Sequence, residues 1–155
     1  MAMAEPERIA AREPGELVRS YRMNAPNLPE TARVARDMVG ALLRATEHSA
    51  LVDVGRLLVS EVVTNVHLHA RVPQLTLEAT VRSNRVLVSV LDADPCGVPQ
   101  IRKAIRNAEG GRGLPLVQHF AAAWGTTWFG GVQPTGKSIW FELHDEEREG
   151  GGPNS

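Results

Sequence analysis

The hydrophobic positions of the chain follow a helical period in its first half. Across residues 29–47 apolar side chains recur at steps of three and four, and a second run with the same period covers residues 49–70. A proline suits the first turn of the first run, and Arg71 and Pro73 end the second. The pattern predicts two consecutive helices, preceded by a short edge strand in the segment LVRSYRM, residues 17–23.

From Gln74 onward the hydrophobic period falls to two. Alternating apolar residues predict one strand to Val81 and a partner strand that ends at Asp92, with a turn at Ser83 and Asn84 between them. A third helix is expected over residues 114–123. The segments GTTWFGG and KSIWFEL then predict a second hairpin.

The connection over residues 93–112 contains several prolines and glycines, and a long connection of this kind is usually functional. We interpret it as a candidate lid. The order of helices, hairpin, lid, helix and hairpin predicts an α+β fold, a two-layer sandwich with helices on one face of a mixed, mostly antiparallel sheet. This domain should span residues 16–144, after a mobile arm (1–15) and before a disordered tail (145–155).

Composition narrows the class of protein without identifying it. The chain has 155 residues, 43% of them hydrophobic, and a formal net charge of -1, which fits one soluble globular domain and gives no reason to expect nucleic acid as a direct partner. Cys96 is the only cysteine, so no intramolecular disulfide can form. No apolar run approaches the roughly 18 residues of a membrane span. We therefore expect a cytoplasmic protein with no membrane segment.

The second predicted helix carries a polar stripe among apolar residues. Glu61, Asn65 and His69 are four residues apart and share one face. Burying such groups without partners costs about 1–3 kcal/mol each, so a ligand is one candidate for satisfying them. Carboxylate and amide oxygens suit Mg²⁺. Alternatively, the asparagine is a structural hydrogen-bonding residue and the glutamate pairs with Arg56 or Arg112.

Two further clusters carry candidate chemistry. Asp92 ends a strand and is followed by a proline and by Gly97, while a glycine-rich run, residues 110–113, leads directly into the third helix. Glycines before a helix allow backbone N–H groups to approach a phosphate. The same run fits a flexible hinge equally well.

Other chemistries find less support. His67 and His69 are two residues apart, without the four-residue spacing of a helical zinc pair, and Ser60 lacks the sequence context of a hydrolase nucleophile. Trp124, Trp128 and Trp140 are expected in the core, because aromatic side chains dominate core burial; a stacking platform is the alternative.

Four segments, taken in order and spacing, resemble the conserved boxes of one family. EVVTNVHLHA, VSVLDADP, GGRGLPLVQ and GKSIWFEL look like the N box, the two glycine boxes and the final strand of the GHKL, or Bergerat-fold, ATPases. The branch that the chain resembles comprises small stand-alone histidine-kinase-like proteins of actinobacteria, related to anti-sigma factors with serine kinase activity. The resemblance spans residues 17–143.

The resemblance implies ATP and Mg²⁺ as cofactors and assigns roles to individual residues. Asn65 matches the asparagine that holds Mg²⁺ against the phosphates, and Glu61 the acid that activates the attacking hydroxyl or water. His69 lies near the phosphates. Asp92 matches the aspartate that accepts a hydrogen bond from the adenine amino group. The remaining cofactor-binding positions that it implies are Gly97, Gly111, Arg112, Gly113 and Leu114 around the lid, and Ser138, where a threonine often supports the aspartate.

The chain departs from the family pattern in its first glycine box. Asp94 and Cys96 occupy positions where relatives commonly have glycine, and Gly97 comes one step late. A side chain at either position would narrow the adenine pocket or stiffen the lid. No phosphoacceptor-histidine helix precedes the domain, which disfavours a complete sensor histidine kinase.

Three functions are compatible with the sequence. The first is a serine protein kinase that phosphorylates a STAS-type anti-anti-sigma partner and also binds a sigma factor. The second is a non-catalytic module that uses ATP only to order its lid while it captures a sigma factor or another partner. The third is an interaction domain without a nucleotide. Relatives suggest a homodimer formed through the sheet edge.

Overall fold

The computed structural model describes residues 15–93, 114–130 and 135–146. Expectations for the lid, the greater part of the N-terminal arm and the end of the tail lie outside the described residues. Along the chain the elements are β1 (Arg19–Pro26), α1 (Thr31–Ala45), a 3-10 turn (Ser49–Leu51), α2 (Val52–His69), β2 (Gln74–Val81), β3 (Arg85–Asp92), α3 (Leu114–Phe120), β4 (Ala123–Phe129) and β5 (Gly136–His144).

The described strands form one sheet in the order β1-β2-β3-β5-β4. Each neighbouring pair in this order is antiparallel, so the described part of the sheet has no parallel component of the kind that a mixed sheet would contain. The α+β class and the two predicted hairpins are confirmed. β5 lies between β3 and β4, which connects the second hairpin to the first.

Side-chain alternation gives the sheet one apolar face, against which the helices pack. Successive residues of a strand point to opposite faces, and the inward positions of β2, β3 and β5 are buried. They include Leu77, Val90 and Ile139, each at 0% exposure, and neighbours in the register bring them side by side. The core therefore lies between this face and helices α1 and α2.

A glycine allows the two long helices to pack closely. A Cβ atom added to Gly55 of α2 would lie 2.7 Å from Cδ1 of Leu43 on α1, closer than real side chains approach. Within residues 15–93, 114–130 and 135–146, no helix has the length and hydropathy that crossing a membrane would require.

Element boundaries differ from the predictions where tertiary hydrogen bonds decide them. β1 begins at Arg19 and runs to Pro26, because pairing with β2 continues three residues beyond the predicted end of the strand at Met23, while Leu17 is 67% exposed. α3 ends at Phe120, three residues early. The reason is that the backbone N–H of Ala122 already donates to the carbonyl of Glu142 on β5.

A buried polar cluster closes the end of the sheet where β5 finishes. His48 follows α1 and is 1% exposed; its Nδ1 lies 2.7 Å from Oδ2 of Asp145, and its Nε2 lies 2.8 Å from the carbonyl oxygen of Arg82. Asp145 is itself 2% exposed and donates its backbone N–H to the carbonyl of Asn84. Asp145 therefore packs against the sheet one residue beyond the predicted end of the domain at residue 144.

We expect the substitution His48→Leu to destabilise the fold. It removes one partner of a buried charged pair, a change that typically costs about 3–5 kcal/mol. Thermal unfolding followed by circular dichroism should show a midpoint lower by about 6–20 °C, at roughly 2–4 °C per kcal/mol for a chain of this size.

The matched control is His144→Leu. His144 lies one residue before Asp145 and pairs with Glu142 at 2.7 Å, but its side chain is 41% exposed. Exposed pairs contribute about 0–1 kcal/mol. Equal midpoints for the two variants would contradict a structural role for the buried pair.

Candidate functional site

The predicted polar stripe of α2 exists and lies at the edge of the core. Asn65 is buried at 4% exposure, while Glu61 and His69 are half-buried. Leu57, which the sequence places next to the stripe, is 38% exposed, and Leu68 is 70% exposed. The stripe therefore separates the sheet-facing side of α2 from its exposed side.

The stripe faces away from α1. Arg56 lies nine positions before Asn65, and at 3.6 residues per turn this places the two on opposite sides of α2. Arg56 packs over Gly40 of α1 and pairs with Asp37, with Nη1 3.5 Å from Oδ1. The other helix that α2 contacts is α3, which begins at Leu114. Glu61, Asn65 and His69 thus lie on the side of α2 that faces away from α1.

The side-chain oxygen of Asn65 lies within the α2 stripe, and its hydrogen bonding bears on the ligand hypothesis. Its Oδ1 atom is buried, and no donor in the described part of the chain reaches it. A buried acceptor without a partner costs about 1–3 kcal/mol. An oxygen of this kind suits a hard cation such as Mg²⁺, which takes one or two protein oxygens together with water and phosphates.

Glu61 does not pair with Arg56, one of the two structural partners that the sequence left open. Arg56 pairs with Asp37 instead, and the ion pairs found among the described residues do not include Glu61; Arg112 lies outside them. A half-buried carboxylate one helical turn before Asn65 is consequently available to accept a proton.

Asp92 lies on the same face of the sheet as the helices. It continues the inward alternation of Val88 and Val90, and its cross-strand neighbour in β5 is Lys137. Nζ of Lys137 donates to Oδ1 of Asp92 at 2.9 Å and lies 2.8 Å from Oδ2, and both side chains are 0% exposed. The two residues form a buried ion pair, and removing one member of such a pair typically costs about 3–5 kcal/mol.

Lys137 is the site residue that sequence reasoning missed. Ser138 was expected to support Asp92, but it pairs with Leu91 and alternates with Lys137, so it belongs to the opposite face together with Trp140. A signal was present: counting back by twos from the inward Phe141 and Ile139 reaches Lys137. Gly136 makes the arrangement fit, since a Cβ atom there would clash with the carbonyl oxygen of Asp92.

The topology brings the α2 stripe and Asp92 to one end of the sheet. α2 ends at His69 and β2 starts five residues later, and the antiparallel pairing sets the start of β2 beside the end of β3 and the start of β5. Asn65, His69 and Asp92 therefore share one end and one face. Gly97, Gly111, Arg112 and Gly113 lie outside the described residues.

A pocket of about 350 Å³ opens at this end of the sheet. Its lining includes Thr76, Leu91 and Phe129, whose alternation assigns them to the face away from the helices, together with Asp92 and Gly136 at the strand ends. Asn65 does not line it. The pocket therefore lies at the strand ends, and its lining does not include the polar stripe of α2.

The remaining sequence candidates have structural contacts. Nδ1 of His67 lies 2.9 Å from Oδ1 of Asn27, which ties the end of α2 to the loop after β1. Trp124 is partly buried and packs against the core. The expected core position is wrong for Trp140, which lies on the outer face and packs over Gly125, where a Cβ atom would be 2.8 Å from its ring.

The fold and the arrangement of these residues agree with one protein family. The model of the histidine kinase-like ATPase domain matches residues 25–140, and the chain belongs to this family. The match includes α2 with its polar stripe, Asp92 and Lys137. No curated protein matches the sequence.

In the ligand-free protein, we expect Asn65 to give a lower free energy of unfolding than an apolar residue of similar size would. We expect Asn65→Leu to leave the free energy of unfolding unchanged or to raise it by up to about 1–2 kcal/mol, because it removes a buried acceptor without a partner. Urea unfolding at equilibrium measures this quantity.

Asn27→Leu is the matched control. The side-chain N–H groups of Asn27 donate to the carbonyls of Val72 at 3.0 Å and Ala70 at 3.4 Å, and its Oδ1 atom is hydrogen-bonded to Nδ1 of His67. Its replacement should destabilise the fold by about 1–3 kcal/mol. A loss of stability in Asn65→Leu as large as in Asn27→Leu would show that Asn65 is a structural residue.

Proposed function

We propose that this protein binds ATP with Mg²⁺ and acts as a serine protein kinase on a STAS-type anti-anti-sigma partner, in the control of a sigma factor. The observation that carries the proposal is the buried, unpartnered Oδ1 atom of Asn65, one turn after a carboxylate that no described cation neutralises. Membership of the histidine kinase-like ATPase family supports the nucleotide part.

Asn65 would hold the metal ion, and its burial among apolar side chains would favour binding of the ion over water. Val62 and Val66, its neighbours on α2, are both 0% exposed, so water competes poorly for the amide oxygen. Bound Mg²⁺ would offset charge on the phosphates during transfer. His69, one turn further along α2, would donate to a phosphate oxygen.

Glu61 would act as the general base. In the transfer step its carboxylate accepts the proton of the serine hydroxyl, the hydroxyl oxygen forms a bond to the γ-phosphorus, and the bond between that phosphorus and the β,γ-bridging oxygen breaks to release ADP. General-base catalysis of this kind contributes about 10²–10⁴ in rate. Asp92 would accept a hydrogen bond from the adenine amino group at the strand ends.

The partner part of the proposal is supported by the resemblance to anti-sigma factors with serine kinase activity. A STAS-type protein would supply the acceptor serine, and a sigma factor would bind the same domain. A homodimer and a cytoplasmic location belong to the same proposal.

A non-catalytic, ATP-dependent binding module is the second candidate. The observation that favours it is the pair Asp94 and Cys96 in the first glycine box, where relatives commonly have glycine. In this version ATP orders the lid and shifts the population toward a partner-binding state without phosphate transfer.

Glu61→Gln should separate binding from transfer. We expect the affinity for a non-hydrolysable ATP analogue to change less than about threefold, and transfer of labelled phosphate to a STAS partner to fall by about 10²–10⁴. Calorimetry measures the first quantity and autoradiography of the partner the second.

Glu78→Gln provides the control, because Glu78 lies on the outer face of β2 and pairs with Arg22. It should transfer phosphate at the wild-type rate. If Glu61→Gln also does so, Glu61 is not the base. If the wild-type protein binds the analogue but transfers labelled phosphate to none of the STAS-type partners tested, the non-catalytic binding module is the better description.

Asn65→Leu should remove the dependence of nucleotide binding on Mg²⁺. For the wild-type protein we expect the affinity for ATP to fall at least tenfold, or about 1.4 kcal/mol, when EDTA replaces Mg²⁺, since the amide oxygen loses the ion it coordinates. For the variant the two affinities should agree within about threefold. A variant that keeps the wild-type response to Mg²⁺ would exclude Asn65 as the metal ligand.

A further inference from the structure

The ion pair between Lys137 and Asp92 is more than a structural contact. The carboxylate proposed above to recognise adenine is already bound to an ammonium group within its own sheet, at 2.9 and 2.8 Å, with both side chains 0% exposed. We propose that Lys137 is a specificity-determining residue that weakens the preference of the site for a 6-amino purine. This inference rests on the proposed function, since it concerns the base of the same nucleotide.

The register of β3 and β5 makes the contact unavoidable. Asp92 and Lys137 are directly opposite in the antiparallel pair, on the helix-facing side. Gly136 lets the two strand ends approach without a side chain between them. The ammonium therefore reaches Asp92 from the adjacent strand and not from a flexible surface loop.

The choice of lysine at this position is specific to it. The chain has 17 lysine and arginine residues, and only Lys103 and Lys137 are lysine. The ammonium group is a compact point charge with rotatable donors, and it fits a closed space in which a planar guanidinium would need more room. A buried lysine with a single carboxylate partner is thus a particular feature of this site.

The pair changes which hydrogen-bonding groups the site offers to a base. An isolated carboxylate only accepts hydrogen bonds, so it favours a purine with an amino group at position 6 and rejects one with a keto oxygen there. The ammonium of Lys137 carries a full positive charge, so the neutral amino group of adenine competes with a stronger donor for the oxygens of Asp92.

The same ammonium can serve a keto purine. It has three N–H donors, and the two oxygens of Asp92 occupy at most two of them. The remaining donor suits the 6-keto oxygen of hypoxanthine. The pair consequently offers the purine both an acceptor and a donor. It weakens the binding of ATP and strengthens the binding of inosine triphosphate, so the two affinities become more similar.

The test compares the binding of ATP and inosine triphosphate, each with Mg²⁺, by calorimetry. We expect the wild-type protein to bind the two within about tenfold of each other, whereas a site built on one unpaired hydrogen-bonding group can discriminate by about 10⁴. In Lys137→Thr and Lys137→Met the preference for ATP should rise at least tenfold above the wild-type ratio. A wild-type preference for ATP of 100-fold or more would overturn the proposal without any variant.

The matched control is Arg85→Met, which removes a cation from the other end of the same two strands. Arg85 lies opposite His144 and contacts Glu142 at 4.0 Å. For this variant the ratio of the affinities for ATP and inosine triphosphate should equal that of the wild type.

Each outcome separates this inference from the proposed function. If ATP binds but the ratio is the same in the wild type, Lys137→Thr and Lys137→Met, Lys137 is a structural residue and only the inference fails. If neither triphosphate binds the wild-type protein, the proposed function fails first. If the two variants do not fold, as circular dichroism would show, the wild-type ratio alone decides.

Discussion

The antiparallel pairing of β3 with β5 is the constraint on which the rest of the structure depends. It joins strands separated by the whole lid segment and α3, and β5 in turn carries β4. Its register decides which residue of the second hairpin stands beside Asp92. A slip of β5 by one residue would place Ser138 opposite Asp92 and turn Lys137 to the other face of the sheet. The fold and the composition of the site are thus set by the same hydrogen bonds.

The two ends of the sheet treat buried polar groups differently. At one end both nitrogens of His48 have acceptors, and the cluster binds the end of α1 to the end of β5. At the other end the amide oxygen of Asn65 is buried without a described donor. Folding alone explains the first arrangement, because His48 joins Asp145 at the end of β5 to the carbonyl of Arg82 after β2. The second arrangement lowers stability, which is the expected cost of an oxygen reserved for a ligand.

Local pattern was sufficient to predict the elements, and long-range register was needed for the site. The periods of 3.6 and 2 identified α1, α2 and the first hairpin to within a few residues, because apolar spacing is a local property of the sequence. The ends of β1 and α3 were less accurate, since pairing with β2 and a hydrogen bond to Glu142 decide them. The stripe on α2 was predictable from spacing alone.

Asp92 remains a predicted site residue, and the side chain that contacts it from β5 belongs to Lys137 and not to Ser138. The family resemblance placed the supporting residue at Ser138, and nothing local distinguishes Ser138 from Lys137 in a short polar run. The inward parity of Ile139 and Phe141 does distinguish them, but only once β5 is known to pair with β3. The same alternation explains why Trp140 lies on the outer face of the sheet and not in the core.

The two features of the site together imply an uneven distribution of binding energy along the nucleotide. At the phosphate end, Asn65 has an unpaired oxygen to gain from a metal ion, so coordination there adds an interaction that the ligand-free protein lacks. At the base end, Asp92 already has a charged partner, so a hydrogen bond from adenine largely replaces one interaction by another. Affinity should therefore depend mainly on the phosphates and Mg²⁺, and only weakly on the base.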